Sequence, residues 1–201
     1  MVKNNLKEYK ERRDLKKSSE PSGKEKKEKL KHPVFVIQKH DASHLHYDFR
    51  IEIDGVLKSW AVPKGPSTDP KEKRLAAPTD DHPMQYATFE GIIPEGNYGA
   101  GTVMVWDLGT YENLRKEDNK EIPMEKCYDQ GKIEIDIKGE KIYGGYALIR
   151  TGMKQDGNKA KWLLIKMKDD AADARRNPIS TENKSVLTNR TLEEIEKESK
   201  D

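Results

Sequence analysis

A chain of 201 residues, 33% hydrophobic and 37% charged, has the length of one domain with solvated ends. Its single cysteine, Cys127, excludes an intramolecular disulfide and a thiolate metal cluster, and no run approaches the roughly 20 apolar residues of a membrane span or the apolar core of a secretory signal. The expectation is a soluble cytoplasmic protein, by default a monomer, whose formal charge of +2 hides a basic amino terminus and a net acidic remainder.

Residues 1–31 hold 12 Lys/Arg against 6 Asp/Glu and read as a basic, partly flexible arm. A short helix through Leu6, Tyr9 and Arg13 is expected to give way to a linker from Ser18 onward. Such a run serves either as a solubilising tail or as a polyanion-seeking arm whose affinity falls steeply with salt. At Pro33 the text turns to "PVFVIQK", rich in β-branched and aromatic residues, and the folded domain is placed at 32–170.

"LHYDFRIEIDGVLKSWAV" alternates with period two about Asp54-Gly55, the dipeptide of a two-residue hairpin turn. Residues 64–86, proline-bearing and aperiodic, read for the most part as an ordered loop over that hairpin. Further strands are expected at 84–89, 102–107, 132–137, 141–150 and 161–167. The glycines of 91–107 suit tight turns and close packing; no Lys-Ser/Thr follows and a strand comes next, so a phosphate-binding P-loop is excluded. Residues 171–201 lose the alternation and form an extension packing on or trailing the domain. A short helix there begins at Thr191, with Glu194 at capping-box spacing. The elements add up to a mainly β protein, a compact antiparallel β-barrel of about eight strands with little helix.

All five histidines fall between residues 32 and 82. In an extended strand His46, Asp48 and Arg50 share one face, while Tyr47, Phe49 and Ile51 take the other. His40 lies just before the loop "DAS", which can return its imidazole toward His46. Two imidazoles and a carboxylate suit a divalent borderline metal such as Mn, Fe, Co or Zn, with coordination positions left open for catalysis. A fixed cation at Arg50 beside such a metal implies an anion between them. His82 is held extended by Pro83. Lys64 and Arg74 lie in the loop text, where binding groups are often mounted and surface charges equally so. His32 and His44 are expected to be non-catalytic.

The stretches "FVIQKHDASHLHYDFRIEIDGVLKSWAVPKGPS", "RLAAPTDDHPMQYATFEGIIPEGNYGAGTVMVWDLGTYE" and "WLLIKMKD", with "RRNPIS" and "RTLEEI" near the end, resemble the 3′-phosphoesterase domain of bacterial DNA ligase D, the end-joining ligase. The resemblance covers about residues 33–195, and the early "EYKERRDL" is similar to the family's amino-terminal arm. It implies a β-barrel enzyme of DNA repair, dependent on manganese with cobalt or zinc as substitutes. Such enzymes remove 3′-terminal ribonucleosides and then 3′-phosphates, leaving ligatable 3′-hydroxyl ends. Carried over, His40, His46 and Asp48 would bind the metal, and Arg50, His82 and Arg13 the scissile phosphate. Lys64, Arg74, Asp80 and Tyr86 match positions that support activity, Asp80 standing where the family usually has glutamate. The substrate would be DNA, or RNA-tipped DNA, 3′ ends. As a free-standing chain it would recruit any ligase or polymerase separately.

Two other readings use the same residues. His46-x-Asp48 with a distal His82 has the form of a non-haem iron oxygenase triad, although the next arginine after His82 is Arg115. A non-catalytic module binding DNA ends or a ligase would use the barrel and arm alone.

Overall fold

The computed structural model describes residues 6–15, 17–23, 32–152 and 160–198. Eight antiparallel strands close into a barrel: β1 Val34–Asp41, β2 Leu45–Ile53, β3 Val56–Val62, β4 Lys73–Pro78, β6 Gly101–Asn113, β9 Lys132–Lys138, β10 Tyr143–Arg150 and β11 Trp162–Lys166. Their order around the wall is β1-β2-β3-β4-β11-β10-β9-β6, and β6 returns to β1 to complete the ring. A short β5, Gly91–Ile93, pairs with the start of β6, and β7, Lys116–Glu117, forms a small separate ribbon with β8, Lys120–Glu121.

The alternation expected of β2 and β3 is what the barrel uses. Tyr47, Phe49 and Ile51 enter the interior with Phe35, Trp60, Trp106 and Trp162, all almost wholly excluded from solvent. Burying each such side chain contributes about 1.5–3 kcal/mol. The hairpin turn forms as expected, Asp54 and Gly55 both adopting positive φ, at 51° and 70°. Thr191 and Glu194 bond reciprocally at the start of α3, Leu192–Glu198, whose Leu192 and Ile195 seal the interior.

The outer face of β1, β2, β3 and β6 is buried too. A second apolar cluster gathers Val36, Leu57, Val103 and Val105 beneath Tyr9 and Tyr86. Tyr9 belongs to α1, Lys7–Glu11, and is wholly buried. The stretch beginning at Ser18, read as linker, packs here through Glu20, and Tyr9 donates from its hydroxyl to the Pro21 carbonyl. The rest of the expected linker, residues 24–31, lies outside the described residues.

Several boundaries differ from the sequence reading. Residues 84–89 form a 3-10 helix, Met84–Thr88, rather than a strand, because Pro83 starts a turn that the Tyr86 and Phe89 amide hydrogen bonds complete. Residues 73–78, inside the expected loop, are β4, and α2, Met124–Gln130, was not anticipated. Among the described residues no helix is long and apolar enough to cross a membrane.

Candidate metal and phosphate site

The tight turn of residues 42–44 between β1 and β2 pairs His40 with His46 across the ladder, bringing their rings to 4.8 Å between centroids. Asp48, two residues along β2, completes a trio whose ligand atoms all lie within 4.8 Å of one another. Gly101 permits this. Its φ is 142°, and a Cβ there would sit 2.1 Å from the Asp41 carbonyl oxygen, so β6 can press against the end of β1 only without a side chain.

Each imidazole spends its N–H on a main-chain carbonyl. His40 Nε2 donates to the Gly99 carbonyl at 2.9 Å, and His46 Nδ1 to the His44 carbonyl at 2.9 Å. The remaining nitrogens, His40 Nδ1 and His46 Nε2, therefore turn lone pairs toward Asp48, at 3.4 and 3.6 Å. Burial raises the Asp48 carboxyl, but Arg50 and the neighbouring imidazoles bring it well below the ordinary carboxylate range, so it is ionised. Three acceptors converging on one point are satisfied by a cation, and outer hydrogen bonds that fix imidazole orientation are how metal sites are built. The residues fit a divalent metal.

Arg50 lies beside the trio, buried and held at every nitrogen group. Its Nη2 donates to Asp48 Oδ2 at 2.8 Å, its Nε to Gln38 Oε1 at 2.7 Å, and its Nη1 to His82 Nε2 at 3.3 Å. Gln38 is locked in turn by donating to the Tyr86 and Phe89 carbonyls. The guanidinium stacks over the Tyr86 ring at 5.0 Å.

Arg13 arrives from the arm. Its Nε donates to Glu20 Oε1 at 3.0 Å, its Nη2 lies 3.2 Å from His82 Nε2, and its plane covers Tyr9 at 4.1 Å. Glu20 also accepts from the Tyr86 hydroxyl at 3.2 Å. Asp80 is buried between Arg12 and Arg13, at 3.2 and 3.6 Å, so its short side chain still spans to the arm.

His82 bridges to Leu57 through paired main-chain hydrogen bonds of 2.8 and 3.0 Å, the extended state its proline neighbour requires. Burial, then Arg50 and Arg13, push its pKa well below the ordinary histidine value, so the ring is neutral. Nδ1 donates to the Asp80 carbonyl at 2.8 Å, leaving Nε2 as the acceptor toward the guanidiniums.

The trio, the two arginines, His82 and Tyr86 line one pocket of 270 Å³, with Ala61, Thr79 and Tyr98 at its rim and Gln38, Glu20 and Asp80 behind its wall. His40, His46, Asp48, Arg50, Arg13, His82 and Tyr86 are thus brought together. Lys64 and Arg74 are not: they line a different groove with Pro63 and Glu72, and Arg74 pairs with Glu72. His44 is exposed and contributes only its carbonyl. His82 stands outside the ligand trio, behind two guanidiniums, so the oxygenase triad His46, Asp48 and His82 does not form.

Sequence reasoning missed Glu20, Gln38 and the Gly99 carbonyl. One of six acids in a basic run, a glutamine in an apolar strand and a main-chain oxygen carry no signal of their own.

Residues 38–150 match the family model described as the DNA ligase D 3′-phosphoesterase domain. The multifunctional non-homologous end joining protein LigD of Pseudomonas aeruginosa is 47% identical over 190 residues, 93% of this chain and 22% of that protein. Its counterparts of Mycobacterium tuberculosis and Mycolicibacterium smegmatis are each 42% identical over 84% of this chain. The chain spans about a fifth of the length of these curated relatives. A barrel carrying a His-His-Asp trio beside a buried arginine pair, matched by a family model over more than half its length, belongs to the DNA ligase D 3′-phosphoesterase domain family.

Proposed function

We propose that the protein is a manganese-dependent DNA 3′-end-healing phosphoesterase. It hydrolyses the phosphodiester that joins a 3′-terminal ribonucleoside, leaving a 3′-phosphate, and then hydrolyses that phosphomonoester to a 3′-hydroxyl fit for ligation. The observation that carries this reading is the pocket in which an acceptor trio lies beside two buried guanidiniums that both meet His82.

His40, His46 and Asp48 would hold the metal, with manganese preferred and cobalt or zinc able to substitute. When bound it supplies positive charge to the phosphate and activates water. Arg50 and Arg13, fixed before substrate arrives, donate to the nonbridging oxygens and stabilise charge that grows in the transition state. Because Gln38, Glu20 and Asp48 hold them in place, little reorganisation accompanies the reaction. Burial and then the two cations keep His82 neutral, and a phosphate anion between the guanidiniums offsets the cations. Nε2 would then take up the proton released by the attacking water and donate it toward the phosphate. Asp80 and Tyr86 act as positioning residues, through Arg13 and through Arg50 and Glu20. Lys64 and Arg74, in their own groove, support the DNA strand.

The substrates are DNA or RNA-tipped DNA 3′ ends, and the partners a DNA ligase and a polymerase of end joining. The test is a labelled primer-template ending in one ribonucleotide, beside a copy ending in 3′-phosphate, each with manganese, magnesium or chelator. Conversion with manganese and none with chelator is expected. No conversion of either by folded, metal-loaded protein would replace this reading with that of a binding module.

A further inference from the structure

Tyr98 is an exposed aromatic at the rim of a buried anion site. The residue is 47% accessible, yet the turn that carries it is tied down on three sides. The Ala100 amide donates to the Asn97 carbonyl and the Asn97 amide to the Pro94 carbonyl, closing the turn from within. Asn97 Oδ1 accepts the Asp14 amide of the arm at 3.1 Å, and the Gly99 carbonyl accepts from the His40 imidazole. Arg12 and Arg13 lie over the ring at 5.3 and 5.5 Å. Arg13 is already fixed by Glu20 and Tyr9, so it does not need Tyr98 for support.

We infer that Tyr98 is the stacking platform for the base of the 3′-terminal ribonucleoside, the group that leaves; this rests on the phosphoesterase reading. The two flanks of the pocket differ in charge. Beside Tyr98, Arg12 and Arg13 are opposed by Asp80 and Glu20, which suits a neutral nucleoside. On the other flank, Pro63 lies two residues beyond the rim residue Ala61, and the groove it opens holds Lys64, Lys73 and Arg74 against Glu72 alone. That flank suits the polyanionic strand. As water adds to phosphorus and the P–O5′ bond breaks, O5′ takes a proton and the nucleoside departs along Tyr98, while the strand keeps the phosphate. An aromatic face accepts any base, as healing of arbitrary ends requires, and losing such stacking weakens binding about tenfold.

The experiment uses the full chain with manganese and three primer-templates ending in a ribonucleoside, in a base-free ribose, or in 3′-phosphate. Tyr98→Ala should raise KM about tenfold for the ribonucleoside end, with kcat little changed. The base-free and 3′-phosphate ends should stay within about twofold of wild type, and Tyr98→Phe should restore the ribonucleoside KM. Equal losses on all three ends, or no loss on any, would overturn the assignment. Failure of wild-type protein on the ribonucleoside and 3′-phosphate ends alike would instead remove the phosphoesterase reading, and this subsite with it.

Discussion

Arg50 Nη2 meets Asp48 Oδ2 at 2.8 Å, both side chains buried on the outer face of β2. One carboxylate thus faces the two imidazoles and holds the Arg50 guanidinium, so the halves of the site proposed for metal and for phosphate are mechanically joined. Asp48→Asn should therefore abolish metal binding by calorimetric titration and turnover together. Breaking a buried pair of this kind costs about 3–5 kcal/mol, which chemical denaturation of the metal-free protein will read. Retained manganese affinity in the variant would refute the assignment.

His46→Ala should remove metal binding and turnover, because its Nε2 is one of three converging acceptors. His44→Ala should leave both within about twofold, since the neighbour supplies only a main-chain carbonyl to His46 Nδ1. Titration of manganese into each variant, followed by the two-substrate assay, separates ligand from bystander; equal damage would undo the face assignment.

Glu20→Gln keeps the size of the side chain but removes the charge that orients Arg13 and receives the Tyr86 hydroxyl. Misplacing a binding group by a fraction of an ångström can cost up to about a hundredfold. We expect kcat to fall tenfold or more on both substrates with manganese affinity unchanged. An unaltered kcat would show that Arg13 is positioned by its other contacts.

The neutral, buried His82 ties stability to pH. Its folded pKa lies well below the ordinary histidine value, through burial and then Arg50 and Arg13. Between the two values the unfolded chain binds a proton that the folded chain does not, so this contribution is complete above about pH 6.5 and is lost as pH falls below it. Unfolding free energy of metal-free protein should decline from pH 7 to pH 5 more steeply than in His82→Gln, by up to about 1.4 kcal/mol per pH unit. Parallel curves would mean that His82 is charged in the folded protein.

Removal of residues 1–31 takes away Tyr9, Arg13 and Glu20, which close the outer face of β1 and β2. Turnover should fall at least a hundredfold and thermal stability should drop, beyond the flatter salt dependence of DNA binding expected from losing a cationic arm. A truncated protein that differs from wild type only in its salt slope would confine the arm to electrostatic attraction.

The barrel and one wall of its site were legible in the sequence because both rest on a period of two. Alternation from residue 45 to 62 determined that Tyr47, Phe49 and Ile51 face inward and that His46, Asp48 and Arg50 face together, and Asp54-Gly55 marked the turn. The proline after His82 determined its extended backbone. None of this depends on distant parts of the chain. What tertiary structure alone decided is everything that crosses between elements: that Glu20 in a basic run is buried against Arg13, that Tyr86 sits on a 3-10 turn under Arg50, and that Lys64 and Arg74 open into a separate groove. Local periodicity reports which face a residue takes. Which partner meets that face is set by barrel closure and by the arm folding back across it, long-range contacts that leave no local trace in the text.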